Sequence, residues 1–184
     1  MSKTALLLID IQDGLDELDY YGGQRNNPDA EMNCNRILNF FRAERFPVFH
    51  VKHNSTNPKS PLHPSHTGNQ IKAIVAPLTD ELVIEKSVNS AFIGTDLKDR
   101  LDAQDITDLI IVGLTTEHCI STSVRMAANL GYHVLVVADA TAAFNKIGID
   151  ENEFEAEVIH QTTLATLKEE FAEIINTENV LARY

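Results

Sequence analysis

"DLIIVGLTTEHCISTSVRMAANLG", residues 108–131, decides the fold class. It opens on an apolar run, Asp108–Leu114, rich in Leu, Ile and Val and without alternation. A strand with one wet face alternates apolar and polar residues. A continuous run marks a strand covered on both faces, as in a parallel sheet. Past Glu117 the period changes: Ile120, Val124 and Ala127 recur at helical spacing, and the pattern stops at Gly131. A two-sided strand feeding a helix is the repeating unit of an open α/β domain. Between strand and helix stands Cys119, one of two cysteines in the chain.

Working outward, the same kind of apolar run occurs at 4–10, 46–51, 81–86 and 132–139, with a weaker one at 171–176. Helical patterns lie between most of them. Ile37, Leu38 and Phe41 share a face behind Pro28 and Asp29. Leu97 and Leu101 are four apart, and Phe154, Val158 and Leu164 make a third stripe. Alternating strands and helices predict right-handed βαβ crossovers and a single open three-layer α/β domain over 1–184. The segment 52–69 is rich in Pro, Ser, Asn and His and reads as a long loop leaving the sheet's carboxyl edge. Loops of that length in compact domains are usually functional or disordered.

Composition excludes several classes. The chain has 184 residues, with 27 acidic against 15 basic side chains and a formal charge of −12. That argues against a phosphate-backbone partner, which needs clustered Lys and Arg. No apolar stretch approaches the ~20 residues that span a bilayer, and "MSKTALLLIDIQDG" lacks the features of a secretion signal. Cys34 and Cys119 are too few for a disulfide framework. The expected location is the cytoplasm. No G-x-G-x-x-G follows the first strand, so dinucleotide binding is not indicated.

Ligands of open parallel sheets bind beyond the carboxyl ends of the strands. There the first run ends in Asp10, the third in Glu85-Lys86, and the fourth leads through Gly113 to Cys119. A carboxylate, an amine and a thiol therefore meet at one edge. A thiol at a helix start beside a lysine is expected to be a thiolate, with Asp10 as its base. Taken singly, each residue has a plainer reading: an inert filler cysteine, a capping aspartate, a solvated lysine. His50, His53, His63 and His66 fall close together, but His50 and His53 are three apart on a strand and should face opposite ways. They do not read as a metal site.

The stretches "LLLIDIQDG", "EKSVNSAFIGTDL", "IIVGLTTEHCISTSVRMAANLGY" and "VVADATAAF" together resemble the isochorismatase-like cysteine hydrolases, from Ala5 to about Leu181. The resemblance implies a catalytic triad of Asp10, Lys86 and Cys119 on a three-layer α/β/α sandwich around a mostly parallel six-stranded sheet. It also implies a non-proline cis bond at Leu114–Thr115, aiming the Thr115 N–H with that of Cys119 into an oxyanion hole. Leu15, Phe92 and His118 are expected in the substrate pocket and Gln12 behind it, although Phe92 suits plain core packing equally well. Nicotinamidases of this family carry Asp-x-His after the second strand; here His53 and Ser55 stand there, so no metal and no cofactor are implied. Isochorismatases proper, which cleave a vinyl ether, lack the cysteine. The expected activity is therefore hydrolysis of an amide or ureido C–N bond of a small molecule by a homodimer or homotetramer. Vinyl-ether hydrolysis, or a non-catalytic binding protein of the same fold, is the alternative.

Overall fold

The computed structural model describes residues 3–184. Six strands form one parallel sheet: β1 (Thr4–Ile9), β2 (Val48–His53), β3 (Leu82–Lys86), β4 (Asp108–Leu114), β5 (His133–Ala142) and, at the far edge, β8 (Glu173–Ile175), in the order β3-β2-β1-β4-β5-β8. Lys146–Ile147 (β6) and Glu153–Phe154 (β7) make a separate antiparallel pair. The helices are α1 (Leu18–Tyr21), α2 (Ala30–Ala43), α3 (Leu97–Asp102), α4 (Ser121–Asn129), α5 (Ala156–Leu167) and α6 (Thr177–Arg183). None is long and apolar enough to cross a membrane.

The pleat explains the layers. Leu7, Ile9, Val51, Ile84 and Ile111 point to one face and bury Leu97, Leu101, Val124 and Leu164 from α3, α4 and α5. Their neighbours Leu6, Leu8, Ile110 and Val112 point to the other and pack on Ile37, Leu38 and Phe41 of α2 and Val180 of α6. Strands covered on both faces have no polar side to show, hence the unbroken apolar runs.

The chain steps outward from β1 through β2 to β3, then crosses to β4 on the other side of β1. The β1/β4 seam is the topological switch point, and a crevice opens at its carboxyl end. Gly113 makes the seam tight. It sits at φ +121°, and a Cβ there would lie 2.0 Å from the Ile9 carbonyl oxygen.

Three local expectations need correction. The second strand runs 48–53, not 46–51, because Pro47 has no N–H for the ladder. Lys52 and His53 are strand, paired with Glu85 and Lys86. The fifth strand continues to Ala142 instead of ending at Asp139; the Asp139 carboxylate accepts from Thr177 N–H and Oγ1 at the start of α6. The stripe Phe154–Val158–Leu164 is not the buried one. α5 starts at Ala156, and its inner face is Ala156, His160, Leu164 and Leu167, which leaves Phe154 and Val158 exposed.

Candidate active site

Asp10 is the first residue beyond β1. It adopts φ 53°, a left-handed conformation that Asp and Asn tolerate better than most residues. Such outliers persist where the surroundings over-determine them and are frequent at functional sites. The Asp10 N–H donates to the Val51 carbonyl at 2.9 Å, fixing the turn against β2. Lys86 ends β3 with its side chain on the same sheet face. Its Nζ donates to Asp10 Oδ2 at 2.6 Å and to Cys119 Sγ at 3.3 Å, and lies 3.2 Å from His53 Nδ1. The Lys86 and Asp10 side chains are 0% and 3% exposed. Asp10 Oδ1 has no hydrogen-bond partner among the described residues.

Cys119 is carried by a wide π-type turn, Thr116–Ile120, between β4 and α4. The turn closes by Ile120 N–H donating to the Thr115 carbonyl at 3.2 Å. Single π turns of this kind are common at functional sites. The Leu114–Thr115 peptide bond ahead of it is cis. Thr116 is fully buried, and its Oγ1 lies 2.8 Å from Nδ1 of His160 in α5, which ties the turn to that helix.

The electrostatics overturn one expectation. Burial pushes the Cys119 thiol well above its ordinary pKa, and the Asp10 charge adds to this; the Lys86 charge opposes both without prevailing. In the resting site Cys119 is a thiol and not a thiolate, because burial and the Asp10 charge together outweigh the lysine. Cys34 is also raised, chiefly by burial, and its Sγ donates to the Ala140 carbonyl at 3.2 Å. His53 is shifted down by burial and by Lys86, and is neutral near pH 7.

A cavity of about 200 Å³ opens over these groups, lined by Asp10, Cys119, Thr115, His53 and His118 among others. Leu15 and Phe144 form part of its apolar wall, with Tyr20 and Tyr21 from α1 and Ser60 and Leu62 from the 52–69 loop. Lys146 and Asn89 complete the rim. Leu15 and His118 both line the cavity. Phe92 does not: it is 9% exposed in the core, stacked on Tyr132 with ring centroids 6.1 Å apart. Gln12 lies behind the cavity. Its Oε1 accepts from the His53 N–H at 2.8 Å, and its Nε2 donates to the carbonyls of His53 and Asn69 at 3.0 and 2.8 Å. It clamps the end of β2 to the 52–69 loop.

His50 points to the opposite sheet face and bonds Glu81 at 2.9 Å. His63 and His66 are engaged within their own loop, with Ser65 and Pro58. Asp10, His53 and Cys119 do offer three potential metal-ligand atoms within 4.8 Å of one another, but the Lys86 ammonium occupies the space between them.

The chain is similar to known proteins over nearly its whole length. A family model described as the isochorismatase domain matches residues 4–179. The isochorismatase family protein YrdC of Bacillus subtilis is 42% identical over 179 residues, 97% of this chain and 95% of that protein. The crystal structure of an isochorismatase-family protein from Chromobacterium violaceum superposes with a TM-score of 0.93 at 36% identity, over 98% of this chain and 92% of that one. Nicotinamidase 3 of Arabidopsis thaliana is 28% identical over 194 residues, 96% of this chain and 86% of that protein.

Proposed function

This chain belongs to the isochorismatase family of hydrolases, and we propose that it hydrolyses the C–N bond of a small amide or ureido compound through a thioester on Cys119. The observation that carries the reading is the convergence on Lys86 Nζ of Asp10 at 2.6 Å and Cys119 at 3.3 Å, on the floor of a cavity. The relative named for an amide substrate, Nicotinamidase 3, supports the class of bond. A volume of about 200 Å³ is below the ~300–1,000 Å³ of pockets that take drug-sized ligands, which suits a compact acyl group.

The proposed steps follow from the protonation states. Cys119 Sγ bonds to the carbonyl carbon while its proton passes to Asp10, whose Oδ1 is free to receive it. N–H groups of Thr115 and Cys119 hold the oxyanion. Asp10 returns the proton to nitrogen, the C–N bond breaks, and ammonia or an amine leaves. Water, deprotonated by Asp10, adds to the thioester, the S–C bond breaks, and the thiol is restored beside a released carboxylic acid. Retention of the cysteine separates this reading from vinyl-ether hydrolysis.

A screen of small primary amides and ureido acids, scored by ammonia release, tests the proposal. A hit should lose at least about a thousandfold in kcat in Cys119→Ala, since the covalent route is then closed. Full turnover by that variant would overturn the mechanism.

A further inference from the structure

The triad leaves one hydrogen of Lys86 unassigned. An ammonium has three N–H donors and no acceptor. Asp10 Oδ2 takes one and Cys119 Sγ another; the remaining close acceptor is His53 Nδ1 at 3.2 Å. We propose that His53 is a positioning residue of the active site, which accepts the third N–H of Lys86 and thereby holds the ammonium between carboxylate and sulfur. This rests on the cysteine-hydrolase reading and extends it from three residues to four.

The placement of His53 is built, not incidental. Parallel pairing of β2 with β3 sets His53 directly beside Lys86, so the two side chains leave the sheet on the same face. The backbone of His53 is pinned on both sides. Its N–H donates to Gln12 Oε1 at 2.8 Å, and its carbonyl accepts from Gln12 Nε2 and Asn69 Nδ2, each at 3.0 Å. On the other strand, Asn54 N–H donates to the Lys86 carbonyl at 2.7 Å. Two buried amide side chains, Gln12 at 0% and Asn69 at 2% exposure, thus hold the imidazole at the lysine.

The tautomer follows from the contact. Lys86 cannot accept a hydrogen bond, so Nδ1 must be the unprotonated nitrogen and the proton sits on Nε2. A protonated ring would set a second cation against Lys86 with no acceptor between them. Without the acceptor, the third N–H of Lys86 would be unsatisfied in a buried position. The ammonium would then turn toward Asp10 and away from sulfur, and the thiol would lose the cation that offsets part of its burial.

The test reads Cys119 alone and needs no substrate. Alkylation by iodoacetamide is followed by mass spectrometry on the intact protein and on the Cys119 and Cys34 peptides, at fixed pH near 8. His53→Leu keeps bulk but removes the acceptor. His53→Asn returns an acceptor oxygen near the Nδ1 position. His53→Leu should slow Cys119 labelling about tenfold, the equivalent of one pKa unit on the thiol. His53→Asn should stay within about threefold of the parent. In a Lys86→Met background, His53→Leu should add nothing further, since it acts through the lysine. Parent-like labelling in His53→Leu, equal slowing in His53→Asn, or full additivity with Lys86→Met would each overturn the assignment. A parent protein whose Cys119 labels no faster than Cys34 would instead count against the cysteine-hydrolase reading beneath it.

Discussion

Lys86→Met should cost the fold about 3–5 kcal/mol at pH 7, and Asp10→Asn added to it should restore most of that loss. The substitution keeps the length and apolar stem of the side chain and deletes the ammonium. Asp10 is then a carboxylate with a 3% exposed side chain, whose Oδ1 already has no partner and whose Oδ2 has lost its only cation. Breaking a buried pair on one side typically costs ~3–5 kcal/mol. A second route gives the same size: the folded variant escapes the buried charge by taking up a proton, and neutralising a carboxyl of ordinary pKa ~3.9 at pH 7 costs about 4 kcal/mol. The sign can be checked by pH. Between pH ~4 and ~7 the native variant binds one proton more than its unfolded chain, so its stability falls as pH rises, by about 1.4 kcal/mol per unit. The double variant buries no charge, and Asn suits the φ of 53° at this position; it should lie within about 1 kcal/mol of the parent. Equilibrium urea unfolding of the four proteins at pH 5 and pH 7 reads all of this. A Lys86→Met protein as stable as the parent at pH 7, or a double variant no better than the single, would refute the reasoning.

Other expectations concern separate parts of the molecule. Gly113→Ala should be lost as folded protein, or be destabilised by about 4 kcal/mol or more, because the new Cβ would meet backbone, the Ile9 oxygen at 2.0 Å; soluble yield and thermal unfolding decide it. Iodoacetamide labelling of Cys119 in the parent should climb steadily from pH 6 to pH 9 without a plateau near neutrality, since burial raises its pKa. A plateau below pH 7 would show a resting thiolate. Glu81 contributes stability that acid removes. Burial alone would raise it, but the Arg42 guanidinium, at 2.7 Å through two nitrogens, and His50 bring it down to about 2 from an ordinary 4.5. Its contribution is present above pH ~4.5 and is lost as pH falls toward 2. Acid unfolding of Glu81→Gln should therefore be less steep than that of the parent over this range.

How much of this could be read from the chain follows from where each residue sits. Asp10, Lys86 and Cys119 each stand at or just past the end of an apolar run, and the rule that parallel sheets bind at their carboxyl edge brings such residues together without any distance. His53 escapes that reasoning because its neighbour on the next strand is a matter of register, which a single run of residues does not report. Parallel pairing of β2 with β3 makes this histidine the neighbour of Lys86. Phe144 and Lys146 reach the cavity because β5 runs three residues past Asp139 before the chain turns. Ser60 and Leu62 lie in a loop, and Tyr20 and Tyr21 in a helix of four residues, too short for periodicity to report which side faces inward. The ionisation of Cys119 was misjudged for another reason. A helix start and a nearby lysine are local features, whereas the depth of burial and the opposing Asp10 charge arise only when strands distant in sequence assemble.

A resting thiolate would be a second anion beside Asp10, sharing one lysine in a buried pocket. With a thiol, the site holds a single ion pair, and moving the proton from sulfur to Asp10 creates no additional charge; it relocates the negative one. Lys86 is nearly indifferent to where it sits. At an effective dielectric of ~20, a unit charge at the Asp10 distance of 2.6 Å is worth about 6 kcal/mol to the ammonium and at the Cys119 distance of 3.3 Å about 5. What resists the transfer is the greater basicity of a thiolate than of a carboxylate, a gap that burial of the Cys119 thiol widens. The lysine cannot close that gap alone. It closes only when sulfur bonds to carbon and the charge moves on to a carbonyl oxygen held by backbone N–H groups. Proton transfer and attack are then one event, and the nucleophile is activated by its substrate, not in advance of it.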